Sequence, residues 1–209
     1  AEYLRDSGLD PENQLCTDDF AGHLAHNCNL SIKAILGVAA YGPLLSRRGE
    51  KELCTQWLSA ARDMAATWVD MAQNSDGTYR LAFDQAGTFS LKYNAVWDRL
   101  LGLSVFPTGT WDKELESYLK RSKPYGMPLD NRAGYTKSDW LIWAASMMDR
   151  DSFEAMVIPL WNACHDTPQR VPFTDWYDTE NAWQIGFQHR SVQGGLFMRI
   201  LMERGLAAR

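Results

Sequence analysis

Cysteine and histidine are scarce in this sequence, four of each in 209 residues, and none is spaced to hold a metal. Cys16, Cys28, Cys54 and Cys164 form no CxxC pair and the histidines form no HExxH, so no metal site is expected and no cofactor is implied. There is no GxSxG elbow to activate a serine nucleophile. Lys and Arg form no stripe, and 21 basic against 26 acidic residues leave a formal charge of −5, which argues against a nucleic-acid partner. The longest uninterrupted apolar run falls far short of the roughly 20 residues that cross a bilayer, and the first residues lack the charged-then-apolar pattern of a signal peptide. The chain therefore reads as soluble, with no membrane partner expected.

What the sequence does have is apolar and aromatic mass: 45% hydrophobic and 12% aromatic residues suffice for a real core. The stretch from Cys16 to Gly37, CTDDFAGHLAHNCNLSIKAILG, gathers Asp18, Asp19, His23, His26, Asn27 and Asn29 directly before an apolar helical run. A helix N-terminus presents unpaired N–H groups and partial positive charge, which favour anionic or carbonyl groups. Two readings stay open: a binding site, or Asp18 or Asp19 as a plain N-cap with packed histidines behind it. Cys16 and Cys28 are read as buried thiols, a bridge between them staying open in an oxidising compartment.

Periodicity sets out the elements. Residues 1–7 read as the last turns of a helix stopped by Gly8, which suggests a piece of something longer whose partner helix is missing. Apolar residues at three and four predict helices over residues 24–47 and 50–73, joined by a short link as an antiparallel hairpin. Residues 74–88 suggest a loop or small β-hairpin arm. Residues 89–103 and 111–122 predict hairpin two, and YTKSDWLIWAASMM with residues 151–165 hairpin three. Residues 168–186 read as a long ordered loop carrying function, and a last helix spans about residues 190–204, where Gly194 and Gly195 imply close backbone approach. With no β-rich run, the expectation is a single all-α domain, an (α/α) toroid of helical hairpins, with an αα-solenoid as the other arrangement. Each first helix is entered through a polar and aromatic patch (DDFAGH, SLKYN, TKSDW, GFQHR), and in a toroid these patches meet at one mouth.

Asp18, Asp19, Asp139 and Asp175 lie in or beside these patches, close to Phe20, Trp140 and Trp176. A carboxyl near apolar rings has its proton affinity raised towards working pH, so a pair of them could supply the base and acid of a hydrolysis. His23, Asn27, Lys92, Asn94 and Arg190, with Trp140 and Trp176, are the candidate substrate-binding residues. Trp143 reads as core, Asp98 and Asp151 as ordinary surface charges, and Ser90, Thr136 and Ser138 as hydroxyls ranked below the carboxylates.

TDDFAGHLAHNCNLSIKAILG, FSLKYNAVWDRLLGL, YTKSDWLIWAA, and RVPFTDWYDT followed by GFQHRSVQGGLFM resemble, in order, the signature blocks of the glutaminase A family in its C-terminal six-hairpin domain. The resemblance spans about Leu15 to Leu201. It implies a toroid related to the six-hairpin glycosidases, of which this chain would supply about three and a half hairpins as a C-terminal fragment. It also implies an upstream β-rich part of the same protein as partner, and a secreted or periplasmic location. The implied activity is hydrolysis of the side-chain amide of L-glutamine to glutamate and ammonia. One of the four aspartates would activate water, while His23, Lys92 and Arg190 hold the substrate's charged ends. Aromatics beside paired carboxylates fit a glycoside hydrolase or carbohydrate-binding toroid as well, so the small-molecule partner is glutamine or a sugar. A non-catalytic helical module packed on the upstream part is the remaining alternative.

Overall fold

The computed structural model describes residues 1–12, 16 and 18–205, Asp19 by its backbone alone. Its backbone separates into two compact units, Ala1–Thr88 with Trp97–Trp111, and Phe89–Val96 with Asp112–Arg209.

The first unit opens with α1 (Glu2–Ser7), stopped at Gly8, whose N–H donates to the Leu4 carbonyl. Next comes α2 (Cys28–Arg47), and its cap is neither aspartate of the upstream stretch: Asn27, in extended conformation, accepts from the Leu30 N–H through Oδ1 at 2.8 Å. The helix starts four residues later than its apolar pattern suggests, because His26, with φ of 59°, turns the chain out of helical geometry just before the cap. α3 (Lys51–Ala72) returns antiparallel to α2: Tyr41 meets Trp57 edge-on at 5.2 Å, while Trp68 donates from Nε1 to the Cys28 carbonyl at 2.9 Å. Gly42 permits this approach, since a Cβ there would stand 3.0 Å from Leu58 Cγ and 3.2 Å from the Cys54 carbonyl oxygen. Trp68 is the centre of the core, with the rings of Tyr79, Trp111 and Phe106 at 4.8, 5.6 and 5.7 Å. α2 is long and apolar enough to cross a membrane by length and composition alone, and 61% of its apolar window is buried here.

Residues 74–88 form a loop with isolated antiparallel bridges, Tyr79 to Gln73 and Ala82 to Asn27, rather than a full hairpin. Asn74 closes the loop instead, donating from Nδ2 to the Thr88 carbonyl and Thr78 Oγ1 and accepting from Gly87 N–H through Oδ1. The expected helix over residues 89–103 is also shorter. Leu91 N–H donates to the Leu129 carbonyl in an isolated bridge region, a 3₁₀ turn follows at Tyr93–Ala95, and α4 (Val96–Leu100) is five residues long. Asp98 is not a surface charge: it is buried and accepts from the N–H groups of Val105 and Phe106. Asp151 is exposed as expected.

In the second unit α5 (Asp112–Arg121) precedes β1 (Tyr135–Lys137), which runs without a loop into α6 (Ser138–Ala145). α7 (Arg150–Asp166) packs on α6, its N-terminus capped by Asp149 on the Ser152 N–H. The segment read as a long loop holds two strands, β2 (Thr174–Asp178) and β3 (Gln184–Gln188), in an antiparallel sheet ordered β1-β2-β3. Lys137 pairs with Trp176, Trp176 with Gly186, and a bulge falls between Trp176 and Tyr177. The strands are three to five residues long and rich in Tyr, Thr and Trp, the residues that suit a pleated surface. The expected final helix is a 3₁₀ segment, Ser191–Phe197, followed by α8 (Met198–Arg204). The protein is therefore mainly helical, with a small sheet that the all-α reading missed.

Candidate active site

The strand-to-helix joint at Lys137 organises the second unit's chemistry. Because β1 passes straight into α6, Lys137 ends the strand in extended conformation and Asp139 falls in the first helical turn. Both side chains are buried, Lys137 at 1% and Asp139 at 2% exposure, and Asp175 from β2 is 0% exposed. Lys137 Nζ donates to Asp175 Oδ2 and lies 3.6 Å from Asp139 Oδ1. Arg190, its side chain 39% exposed, brings Nη1 to 3.7 Å from Asp175 Oδ2. Two buried carboxylates and two cations thus share one cluster, and Asp139 Oδ1 and Asp175 Oδ1 accept no hydrogen bond within it.

Aromatic rings enclose the cluster. Lys137 Nζ stands 5.1 Å from the Trp140 ring and 5.4 Å from that of Phe187, and the Arg190 guanidinium lies 4.1 Å over Phe187. Trp140 stacks on Tyr93 at 4.2 Å with an interplanar angle of 6°. Phe187 and His189 hold φ of 50° and 52°, a conformation costing non-glycine residues about 1–3 kcal/mol each. Thr174 stabilises this bend, with Oγ1 within 2.7 Å of the Gly186 and Phe187 carbonyl oxygens. Gly186 is required below Trp176, where a Cβ would approach ring atom Cε3 to 2.8 Å.

Burial pushes the Lys137 ammonium down to about 8; the Asp139 charge opposes this and the Arg190 charge adds to it. Burial likewise raises the Asp139 carboxyl above its ordinary value, against the pull of Lys137 and of the backbone N–H groups of Asp139 and Trp140. The result is a carboxyl and an ammonium whose proton affinities approach each other, the condition for acid and base roles at one working pH.

Trp176 borders this cluster, paired with Lys137 across the sheet and with its ring 5.1 Å from that of Phe187. Lys92 and Glu114 form a buried ion pair of 3.3 Å, with Lys92 Nζ also on Ser90 Oγ at 2.9 Å and Tyr118 Oη donating to Glu114 at 3.1 Å. Asn94 is buried in the neighbouring 3₁₀ turn, Trp176 lies on β2, and Trp143 is half-buried rather than core. In the first unit Asp18 is buried in a turn, His23 is exposed and Asn27 caps α2. The Asp19 side chain lies outside the described residues. Cys16 and Cys28 stand as separate buried thiols. Among the described residues no three His, Cys, Asp or Glu side chains come together as a metal site.

Residues 1–200 match the glutaminase A six helical-hairpin domain. The chain belongs to that family. It is 34% identical to glutaminase A of Aspergillus oryzae across 96% of its own length, and 28% identical to a protein named probable glutaminase from Arthroderma benhamiae across 97%. It spans 30% and 27% of the length of these relatives. Within this glutaminase A domain the residue that sequence reading passed over is Lys137. Its signal was present in the patch TKSDW: a lysine two before an aspartate, flanked by aromatics, at the point where a strand pattern becomes a helical one.

Proposed function

We propose that this glutaminase A-family chain serves as a hydrolase of the side-chain amide of L-glutamine, working within a secreted or periplasmic polypeptide. Its helices would contribute about three and a half hairpins to an (α/α) toroid completed by further parts of the same protein. The observation that carries the reading is the burial of Lys137 between Asp139 and Asp175 with Arg190 reaching in. In the reaction Asp139 takes a proton from water as its oxygen attacks the amide carbon, and the Lys137 ammonium faces the oxyanion that develops. The intermediate collapses as Asp139 returns the proton to nitrogen, releasing ammonia and leaving glutamate. The names of the two relatives support the substrate. Ammonia release from L-glutamine by the full-length protein, lost in Asp139→Asn, is the expected result; no release from folded protein at any substrate level would sink the assignment.

A glycosidase reading draws on one specific feature. Two buried carboxylates flank a single ammonium, and a pair of carboxyl groups is what retaining and inverting glycosidases alike use. Release of nitrophenol from nitrophenyl glycosides, without ammonia release from glutamine, would move that reading to first place.

A further inference from the structure

Arg190 is held in an unusual state for a guanidinium. It is stacked on Phe187, its nearest carboxylate oxygen is 3.7 Å away, and its N–H groups make no hydrogen bond to any described residue. Stacking occupies the face of the plane and leaves the edge, where the paired N–H donors that match a carboxylate are found. The bend at Phe187 and His189, two positive-φ residues fixed by Thr174, maintains that pose. Beside it, Asp175 is 0% exposed and faces both cations with Oδ2, while Oδ1 accepts no hydrogen bond from any described residue. A buried carboxylate oxygen left unsatisfied is costly, so the cluster calls for a donor from beyond the described residues.

A guanidinium edge that makes no hydrogen bond to a described residue, next to a donor-hungry buried anion, is the complement of a zwitterion. We propose that Arg190 and Asp175 form a recognition site for the head group of a free α-amino acid, Arg190 taking the α-carboxylate and Asp175 Oδ1 the α-ammonium. This rests on the amidase reading and deepens it: Asp175 becomes a substrate-binding residue rather than a catalytic one, and Asp139 with Lys137 remains at the reacting amide. Glutamine within a peptide chain, which has neither charge at its α-position, is then excluded.

The site is tested by calorimetric titration of the full-length protein with three small acids. L-glutamate carries the whole head group, glutarate lacks the ammonium, and L-isoglutamine has an amide in place of the α-carboxylate. Losing one charge-assisted partner corresponds to roughly tenfold to a hundredfold in affinity, so glutarate and L-isoglutamine are expected to bind at least tenfold more weakly than L-glutamate. Arg190→Met should erase the difference between L-glutamate and L-isoglutamine and leave that with glutarate; Asp175→Asn should do the reverse. Should the buried Asp175→Asn variant fail to fold, the half-exposed Arg190→Met variant and the wild-type ligand series decide. Binding of all three acids within twofold, no binding to folded protein, or an Arg190→Met variant that keeps the full discrimination overturns the site. Ammonia release separates this from the parent reading: release without head-group discrimination removes the site alone, and discrimination without release removes the amidase reading alone.

Discussion

Gly195 lies against Asp139 so closely that a Cβ at position 195 would stand 2.9 Å from Asp139 Cβ and 2.7 Å from Trp143 Nε1. The 3₁₀ segment after β3 can therefore reach the first turn of α6 only with glycine at this point. Gly194, one residue earlier, has nothing within 4 Å of its virtual Cβ. Gly195→Ala should lower the urea midpoint by the equivalent of about 1–3 kcal/mol, as overpacking does, and reduce any amidase activity by displacing Asp139. Gly194→Ala should leave both within error, and equal effects of the two substitutions would refute the close-packing account.

Tyr118 has a role that its position on an amphipathic helix does not reveal. Its hydroxyl accepts from the Lys92 N–H at 2.8 Å and donates to Glu114 Oε1 at 3.1 Å, tying the Ser90–Lys92 segment to α5. Burial and the Glu114 charge hold the phenol well above its usual range, so it stays a neutral donor. Tyr118→Phe leaves a buried N–H without its acceptor and should cost about 1–3 kcal/mol in a denaturant titration. A loss below ~0.5 kcal/mol would show that the network is not what holds this segment.

The long helices were legible because their signals are local and redundant. α2 and α3 show apolar spacing over more than five turns, and a Gly49 stop separates them. The sheet was not, since a three-residue strand such as Tyr135–Lys137 gives only one and a half periods of alternation before α6 imposes its own. Of the site, Asp139, Asp175 and Arg190 were visible as charges beside aromatics. Lys137 was hidden by the helical reading of YTKSDW, which gave its position no reason to face Asp175, a residue 38 positions away. Glu114 and Asp98 were hidden for the opposite reason: charged residues on short helices look like solvent-facing ones until a buried partner is known.

His26 and Asp10 form an ion pair at 2.7 Å that joins the entry of α2 to the chain after α1. The Asp10 hydrogen bond and charge raise His26 above its usual 6.5. A raised folded value means that the stabilisation is fully present below 6.5 and disappears as pH rises through the folded value. In NMR titration Asp10→Asn should return His26 to the ordinary histidine range, and an unchanged titration would remove the pair from consideration.

The Lys137 cluster predicts the shape of the pH profile. Asp139 acts as a base only when ionised, and its value is raised by burial, so the acid limb should lie above the 3.8 of an ordinary aspartate. Lys137 donates only when protonated, which places the alkaline limb near its value of about 8. Because the Arg190 charge contributes to lowering Lys137, Arg190→Met should move the alkaline limb of kcat to higher pH as well as raise KM. Lys137→Arg, which keeps a permanent charge, should remove that limb altogether. Stability follows the same groups with the sign fixed by proton counts. Between about pH 8 and 10.5 the unfolded lysine holds a proton that the folded one has released, so the Lys137 contribution to stability rises with pH across this window. The raised Asp139 value acts in the other direction, its contribution falling as pH climbs from 3.8 through the folded value. An alkaline limb that stays in place in both Arg190→Met and Lys137→Arg would show that Lys137 is not the titrating acid, and would leave Asp139 to act without it.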